Sequence, residues 1–176
     1  MRKTPNKELN RLTVEEFKQR TKIPIVVVLD NVRSAHNVGS SFRTSDAFLI
    51  NKMMLCGITV KPPHKDLRKT ALGASESVNW QYQENTLTAI TELKKEGYTI
   101  IAIEQADNSV QLNQFVPDTT KKYALVFGHE VNGVSDDVMN MVDSCIEIPQ
   151  YGTKHSLNIS VSVGIVLWEI SNKLNR

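Results

Sequence analysis

The chain has 176 residues, 40% hydrophobic and 23% charged, which is the size and make-up of one globular domain with a sizeable core. No apolar run is long enough to span a membrane, and the polar start MRKTPNKELNRL lacks a signal-peptide core, so a cytoplasmic location is expected. Net charge is only +2, yet residues 1–70 hold 14 Lys/Arg against 6 Asp/Glu while residues 71–176 hold 7 against 13, an asymmetry that predicts a polyanion-facing side.

Residues 1–22 form a charged arm, with Leu9, Leu12 and Phe17 at roughly helical spacing. Thr13 followed by Glu16 makes a capping-box pattern, so a short amphipathic helix with a basic outer face is expected. Residues 24–30, PIVVVLD, are a continuous apolar, largely β-branched run, the pattern of a strand covered on both faces in a parallel sheet. A polar loop is expected over 31–39 and a helix over 40–50, with Phe42, Ala47 and Phe48 available for packing. Residues 52–57 read as a second strand. The stretch 61–77, with two prolines and the cations Lys61, Lys65, Arg68 and Lys69, reads as loop with one helix. A brief strand over 78–82 and a helix over 86–96 ended by Gly97 follow, then a strand over 98–104 and a mostly looped stretch over 105–122.

Residues 123–127 are expected to be a buried strand, 135–142 a helix with Ser135 at its N-cap, and 144–148 another strand. The last segment is ambiguous. Residues 159–163 alternate as a strand does, whereas 165–174 are too long and apolar for one, and helix is the preferred reading. Ser160 and Gly164, four apart, would let such a helix pack closely on a neighbour. Strands alternating with helices define an α/β fold with a largely parallel sheet, as one domain over 23–176 after the arm over 1–22.

In open parallel sheets, ligands bind beyond the carboxyl ends of the strands, and three loops there carry chemistry. In DNVRSAHNVGSSFR, residues 30–43, Asn37, Gly39 and Arg43 fall as N-x-G-x-x-x-R. Asn37 is placed to cap a helix, whose N-terminus would favour an anion, and Arg43 offers a two-pronged phosphate grip. A capped helix with one surface arginine is the competing account. FGHEVNG, residues 127–133, is G-x-E-x-x-G after a strand: its glycines permit close backbone approach to a ligand, and Glu130 either meets that ligand or holds the loop, with a solvated glutamate as the competing account. Neither the dinucleotide G-x-G-x-x-G nor the phosphate-loop motif is present. The third loop joins Ile148 to Ser160 and crowds Thr153, His155, Ser156 and Asn158 around Pro149 and Gly152. Cys56 and Cys145 lie far apart in or beside apolar runs and read as free thiols. The four histidines share no i,i+4 pairing, so no metal site is expected.

Together, N-x-G-x-x-x-R, F-G-x-E-x-x-G and I-P-x-x-G-x-x-x-S-L-N-x-S-V resemble, in order and position, the three motifs of the SpoU (TrmH-like) class of the SPOUT methyltransferase superfamily, over residues 24–171. The resemblance implies an α/β domain whose C-terminal part threads a loop into a trefoil knot, an exception to the general avoidance of knots. It further implies S-adenosylmethionine held in that knot, a homodimer paired through it, and methylation of a ribose 2′-hydroxyl of tRNA or rRNA. Carried over by motif, Arg43 is the catalytic arginine, Asn37 supports it, Glu130 falls on the second motif's glutamate, and Ser156 and Asn158 fall on the third motif's active-site pair. Phe127, Gly128, Ile148, Gly152, Ser156 and Leu157 take cofactor-loop positions. Gln150 stands where many relatives carry methionine.

Three readings follow. The first is an S-adenosylmethionine-dependent RNA 2′-O-methyltransferase, with tRNA favoured over rRNA because only about 22 residues precede the first strand. The second is a non-catalytic RNA-binding protein retaining the SPOUT fold, and the third a doubly wound nucleotide enzyme, which the missing phosphate-loop glycines disfavour.

Overall fold

A computed structural model describes residues 1–174. The last two residues of the domain expected over 23–176 lie outside it. After a 3₁₀ turn, Asn6–Glu8, the elements are α1 (Val14–Gln19), β1 (Ile23–Asp30), α2 (Ala35–Ala47), β2 (Ile50–Cys56), α3 (Lys65–Ala71), α4 (Ala74–Ser77) and β3 (Trp80–Gln83). Then come α5 (Thr86–Lys95), β4 (Tyr98–Ile103), β5 (Val110–Gln111), β6 (Lys122–Phe127), α6 (Asp136–Met139), β7 (Ser144–Glu147) and α7 (Ile159–Leu174).

The strands form one seven-stranded sheet in the order β3-β2-β1-β6-β4-β7-β5, and every pairing in it is parallel. Parallel neighbours require crossovers, and the helices that supply them cover both faces. That explains the unbroken apolar run of β1. Ile25, Val27 and Leu29 point into one core, with Phe17, Val38, Phe42, Leu67 and Leu167 from α1, α2, α3 and α7. Val26 and Val28 point into the other, with Ala89, Ile90 and Leu93 of α5 and Val138 of α6. A fully buried leucine such as Leu167 contributes about 1.5–3 kcal/mol by leaving water.

The arm's helix starts where the capping box indicated: Thr13 Oγ1 accepts from Glu16 N–H, and the Glu16 carboxylate accepts from Thr13 N–H. Only Phe17 of its apolar positions is buried; Leu9 and Leu12 are exposed.

Three local expectations are corrected and two are refined. The first helix begins at Ala35 rather than residue 40, because Ser34, not Asn37, is its N-cap, accepting from Asn37 N–H at 3.3 Å. The stretch 61–77 holds two helices, α3 and α4, hinged at Leu72 and Gly73, both with positive φ. The looped stretch 105–122 contains β5, which pairs with β7. Ser135 occupies its N-cap position, but its hydroxyl bonds Asp30 instead of the helix. The C-terminal segment is helical throughout 159–174, the preferred reading, and the helix includes the part that alternates like a strand. A side chain built at Gly164 would meet nothing within 4 Å, so its open flank has no close neighbour among the described residues.

Gly39 gains a packing role from the structure. A Cβ there would lie 2.2 Å from Thr70 Oγ1 and 2.3 Å from the Leu67 carbonyl, so its bare backbone is what lets α2 press against α3. Among the described residues no helix is long and apolar enough to cross a membrane, and no three His, Cys, Asp or Glu side chains gather as metal ligands.

Candidate active site

The loops leaving β4, β6 and β7 converge beyond the carboxyl ends of the strands and enclose a cavity of about 790 Å³, within the size range of small-molecule sites. The loop after β6 is tightly folded. His129 and Gly133 exchange backbone hydrogen bonds at 2.9 Å, and His129 Nδ1 accepts from Val131 N–H at 3.0 Å. A Cβ at Gly128 would fall 2.1 Å from the Gly133 carbonyl carbon and from Val134 N, so two backbone segments touch where only glycine fits. This packing gives the loop a fixed shape along the cavity wall.

The three sequence motifs are tied to each other by side chains. One oxygen of Glu130 accepts from Ser34 N–H (2.9 Å) and Asn37 Nδ2 (3.2 Å), and the other from Arg33 N–H (3.1 Å). Asn37 Oδ1 in turn accepts from Asn158 Nδ2 at 3.2 Å. Asn158 also begins α7, its Oδ1 accepting from Ser160 N–H at 2.9 Å. A carboxylate before the start of α2 also suits the positive end of the helix dipole. Partial burial pushes the Glu130 carboxyl up, but the donors from Ser34, Arg33 and Asn37 outweigh it and hold the group below its ordinary value of 4.5. Of the two roles open for Glu130 in the sequence, holding the loops is the one its contacts display.

Glu104, absent from the sequence reading, is a second carboxylate brace. It follows β4 and accepts from Val134 N–H (3.0 Å) and Gln105 N–H (2.9 Å), so it pins the glycine loop from the opposite side to Glu130. Gln105 Nε2 then donates to the His155 carbonyl at 2.6 Å, linking the β4 and β7 loops. The one available signal was an acidic residue ending an apolar strand. Deeper still, the buried Asp30 carboxylate accepts from Thr86 Oγ1 (2.5 Å) and from Ser135 N–H and Oγ (both 3.3 Å), fastening β1 to the starts of α5 and α6.

Phe127, Gly128, Glu130, Ile148, Ser156, Leu157 and Asn158 all line the cavity. Asn37 adjoins it through Glu130 and Asn158. Gly152 and Arg43 do not line it. Gly152 is exposed with open space around it. Arg43 is exposed on α2, six residues beyond Asn37 and so roughly 240° around the helix at 3.6 residues per turn, without an ion pair among the described residues.

The lining has a definite charge. Glu104, Glu130 and Asp136 contribute carboxylates, and no lysine or arginine takes part. A polyphosphate would find no cation there, whereas a ligand with positive centres is favoured. The apolar walls of Phe127, Ile148 and Leu157 complete a site suited to a ligand with both an apolar part and a positive one.

Comparison with known proteins agrees with this geometry. The SpoU rRNA Methylase family matches residues 24–168. A tRNA (guanosine(18)-2′-O)-methyltransferase of Aquifex aeolicus is 31% identical over 169 residues, covering 93% of this chain and 75% of its own. The crystal structure of the A. aeolicus TrmH/SpoU tRNA modifying enzyme superposes with a TM-score of 0.79 at 30% identity, over 92% of this chain and 80% of that one. An AdoMet-bound rRNA methyltransferase from Sinorhizobium meliloti gives a TM-score of 0.78 at 26% identity, over 87% of this chain and 58% of that one. An all-parallel α/β sheet, three motifs joined by one hydrogen-bond network and a family match over most of the length converge on one assignment: the chain belongs to the SpoU rRNA methylase family.

Proposed function

We propose that this protein transfers a methyl group from S-adenosylmethionine to a ribose 2′-hydroxyl of RNA, with tRNA the favoured substrate. The observation that carries this reading is the acidic, glycine-walled cavity at the carboxyl ends of β4, β6 and β7 in a chain of this family. The residues fit the cofactor: Phe127, Ile148 and Leu157 give the cavity apolar walls, Gly128 and Gly133 let the loop beside it fold tightly, and Glu104, Glu130 and Asp136 complement positive charge. When bound, S-adenosylmethionine supplies the electrophilic methyl group. Phe127, Gly128, Ile148, Ser156 and Leu157 hold it, while Asn37 and Asn158 fix the loops that place the ribose. A ribose hydroxyl is a weak nucleophile, so alignment and help in losing its proton are what the chain contributes. Support for tRNA comes from the tRNA-directed relative, 75% of whose length this chain covers.

Arg43 is the catalytic arginine of this reading, and it acts in the cavity of a partner protomer. Its exposure and its distance around α2 from the Asn37 face support that placement. The homodimer pairs through α7, where Val161, Ile165 and Trp168 are 49%, 37% and 59% exposed beside the open flank of Gly164. Such apolar exposure on one helix face is what an interface covers. A knotted C-terminus accounts for the path after β7: the chain passes Gln105 at His155 and returns to Asn37 through Asn158, crossing the ends of β4 and β6. Residues 1–22 serve as an arm docked on α4 through α1.

Titration calorimetry with S-adenosylmethionine, followed by tritium-methyl transfer to tRNA transcripts and mapping of hydrolysis-resistant ribose, tests the proposal. Cofactor binding and a 2′-O-methyl product are expected. A protein that binds no S-adenosylmethionine, or that methylates a base instead, overturns it.

A further inference from the structure

The cavity is acidic, yet the first 70 residues are strongly basic, and their strands lie to one side of those that build the cavity. Strands β2 and β1 adjoin each other with β3 outside them, and β6, β4, β7 and β5 occupy the other side of the sheet. Asp30, Cys56 and Gln83 are in register, so the loops after β1, β2 and β3 leave the sheet at one level, on the same edge as the cavity.

On that edge Arg33, Lys61 and Lys65 are exposed, with Arg68 one turn further along α3. None of the four has an ion-pair partner among the described residues, while the neighbouring Asp66 is taken by Lys69 at 2.7 Å. Lys61 Nζ lies 3.5 Å from the ring centre of Tyr82, which is 37% exposed and anchored by its hydroxyl to the Gly57 carbonyl. Unpaired cations beside an anchored, partly exposed aromatic ring form the kind of surface that tracks a phosphate backbone and stacks a base.

We propose that this β3-β2-β1 edge, centred on Lys61, Lys65, Arg68 and Tyr82, is the RNA-docking face, receiving phosphates next to the cavity that receives the cationic cofactor. The inference rests on the methyltransferase reading for its choice of polyanion. An anionic membrane is the lesser alternative, because α3 has only seven residues whereas helices that bind by lying in a membrane interface are generally longer.

The test is a fluorescence-anisotropy titration of an unmodified tRNA transcript against the full chain at several salt concentrations. The variant Lys61→Ala/Lys65→Ala/Arg68→Ala is expected to bind at least about tenfold more weakly, with a log–log salt slope shallower by about 2–3, as fits the loss of three phosphate contacts. Lys95→Ala/Lys121→Ala, two exposed cations at the opposite, amino edge of the sheet, serves as the control and is expected to match the wild type. If the triple variant is not folded by circular dichroism, the single variants Lys61→Glu and Lys65→Glu replace it with the same expected direction. Wild-type affinity and slope in the basic-edge variants, an equal loss in the control, or a loss confined to phosphatidylserine vesicles each overturn the docking face. Calorimetry with S-adenosylmethionine is run on the same proteins. Cofactor binding absent from the wild type refutes the methyltransferase reading, whereas unchanged cofactor binding beside lost tRNA affinity supports the docking face.

Discussion

Replacing Glu130 by glutamine isolates the charge that joins the motifs. The amide retains one oxygen, which can still accept from Ser34 N–H and Asn37 Nδ2, but its NH₂ then faces Arg33 N–H, donor against donor. One hydrogen bond is lost and two lose their charge assistance. For a solvent-exposed carboxylate that amounts to about 2 kcal/mol, roughly half from each effect. In a chain of this length it corresponds to a fall in Tm of about 4–8 °C, read by circular dichroism at pH 7. The pH dependence is the sharper test. The folded pKa of Glu130 lies below its ordinary 4.5, so the stability it contributes is fully present above that value and is lost as pH falls through the folded one. A protonated carboxyl resembles the glutamine amide, and wild type and Glu130→Gln are expected to converge in acid. A gap in Tm that persists undiminished well below pH 4, or no gap at pH 7, would refute the assignment of Glu130 as the charged tie between the loops.

Gly128→Ala places a methyl group 2.1 Å from the Gly133–Val134 backbone, which must move, at a cost of about 1–3 kcal/mol; calorimetry is expected to show at least tenfold weaker S-adenosylmethionine binding. Arg43→Ala removes an exposed side chain with no ion pair among the described residues, so Tm and cofactor affinity are expected to stay at wild-type values while methyl transfer is lost. Retained transfer would remove the catalytic role, and a wild type with RNA affinity but no transfer would favour the non-catalytic reading. Trp168→Glu puts a charge on the exposed face of α7, and light scattering is expected to show a dimer for the wild type and a monomer for the variant.

Elements set by local chemistry were legible in the chain. The β1 run is apolar at consecutive positions because its residues alternate between two cores, and the capping box of α1 and the left-handed Gly97 after α5 appear in the fold where the sequence placed them. Misreadings came where a distant contact overrode local character. Residues 35–39, with His36, Asn37 and Gly39 following a polar stretch, look like loop, yet they are helix, capped by Ser34, steadied by Glu130 and packed at Gly39 against α3. The two-residue β5 exists only because β7 offers it an edge. Ser135 turns away from its helix because Asp30, more than a hundred residues earlier, is nearer.

The same division holds for the site. Asn37, Glu130, Ser156 and Asn158 were named by their motifs, and apolar runs, caps and glycines separated strand from helix along most of the chain. That Asn37 bonds both Glu130 and Asn158, that Glu104 braces the glycine loop, and that Arg43 stands outside its own cavity were decided only by the fold. Residue spacing encodes what neighbours within a few positions can do, because their geometry follows from φ and ψ. Hydrogen bonds between residues 93 and 121 positions apart leave no periodic trace and arise only when the sheet brings the strand ends together.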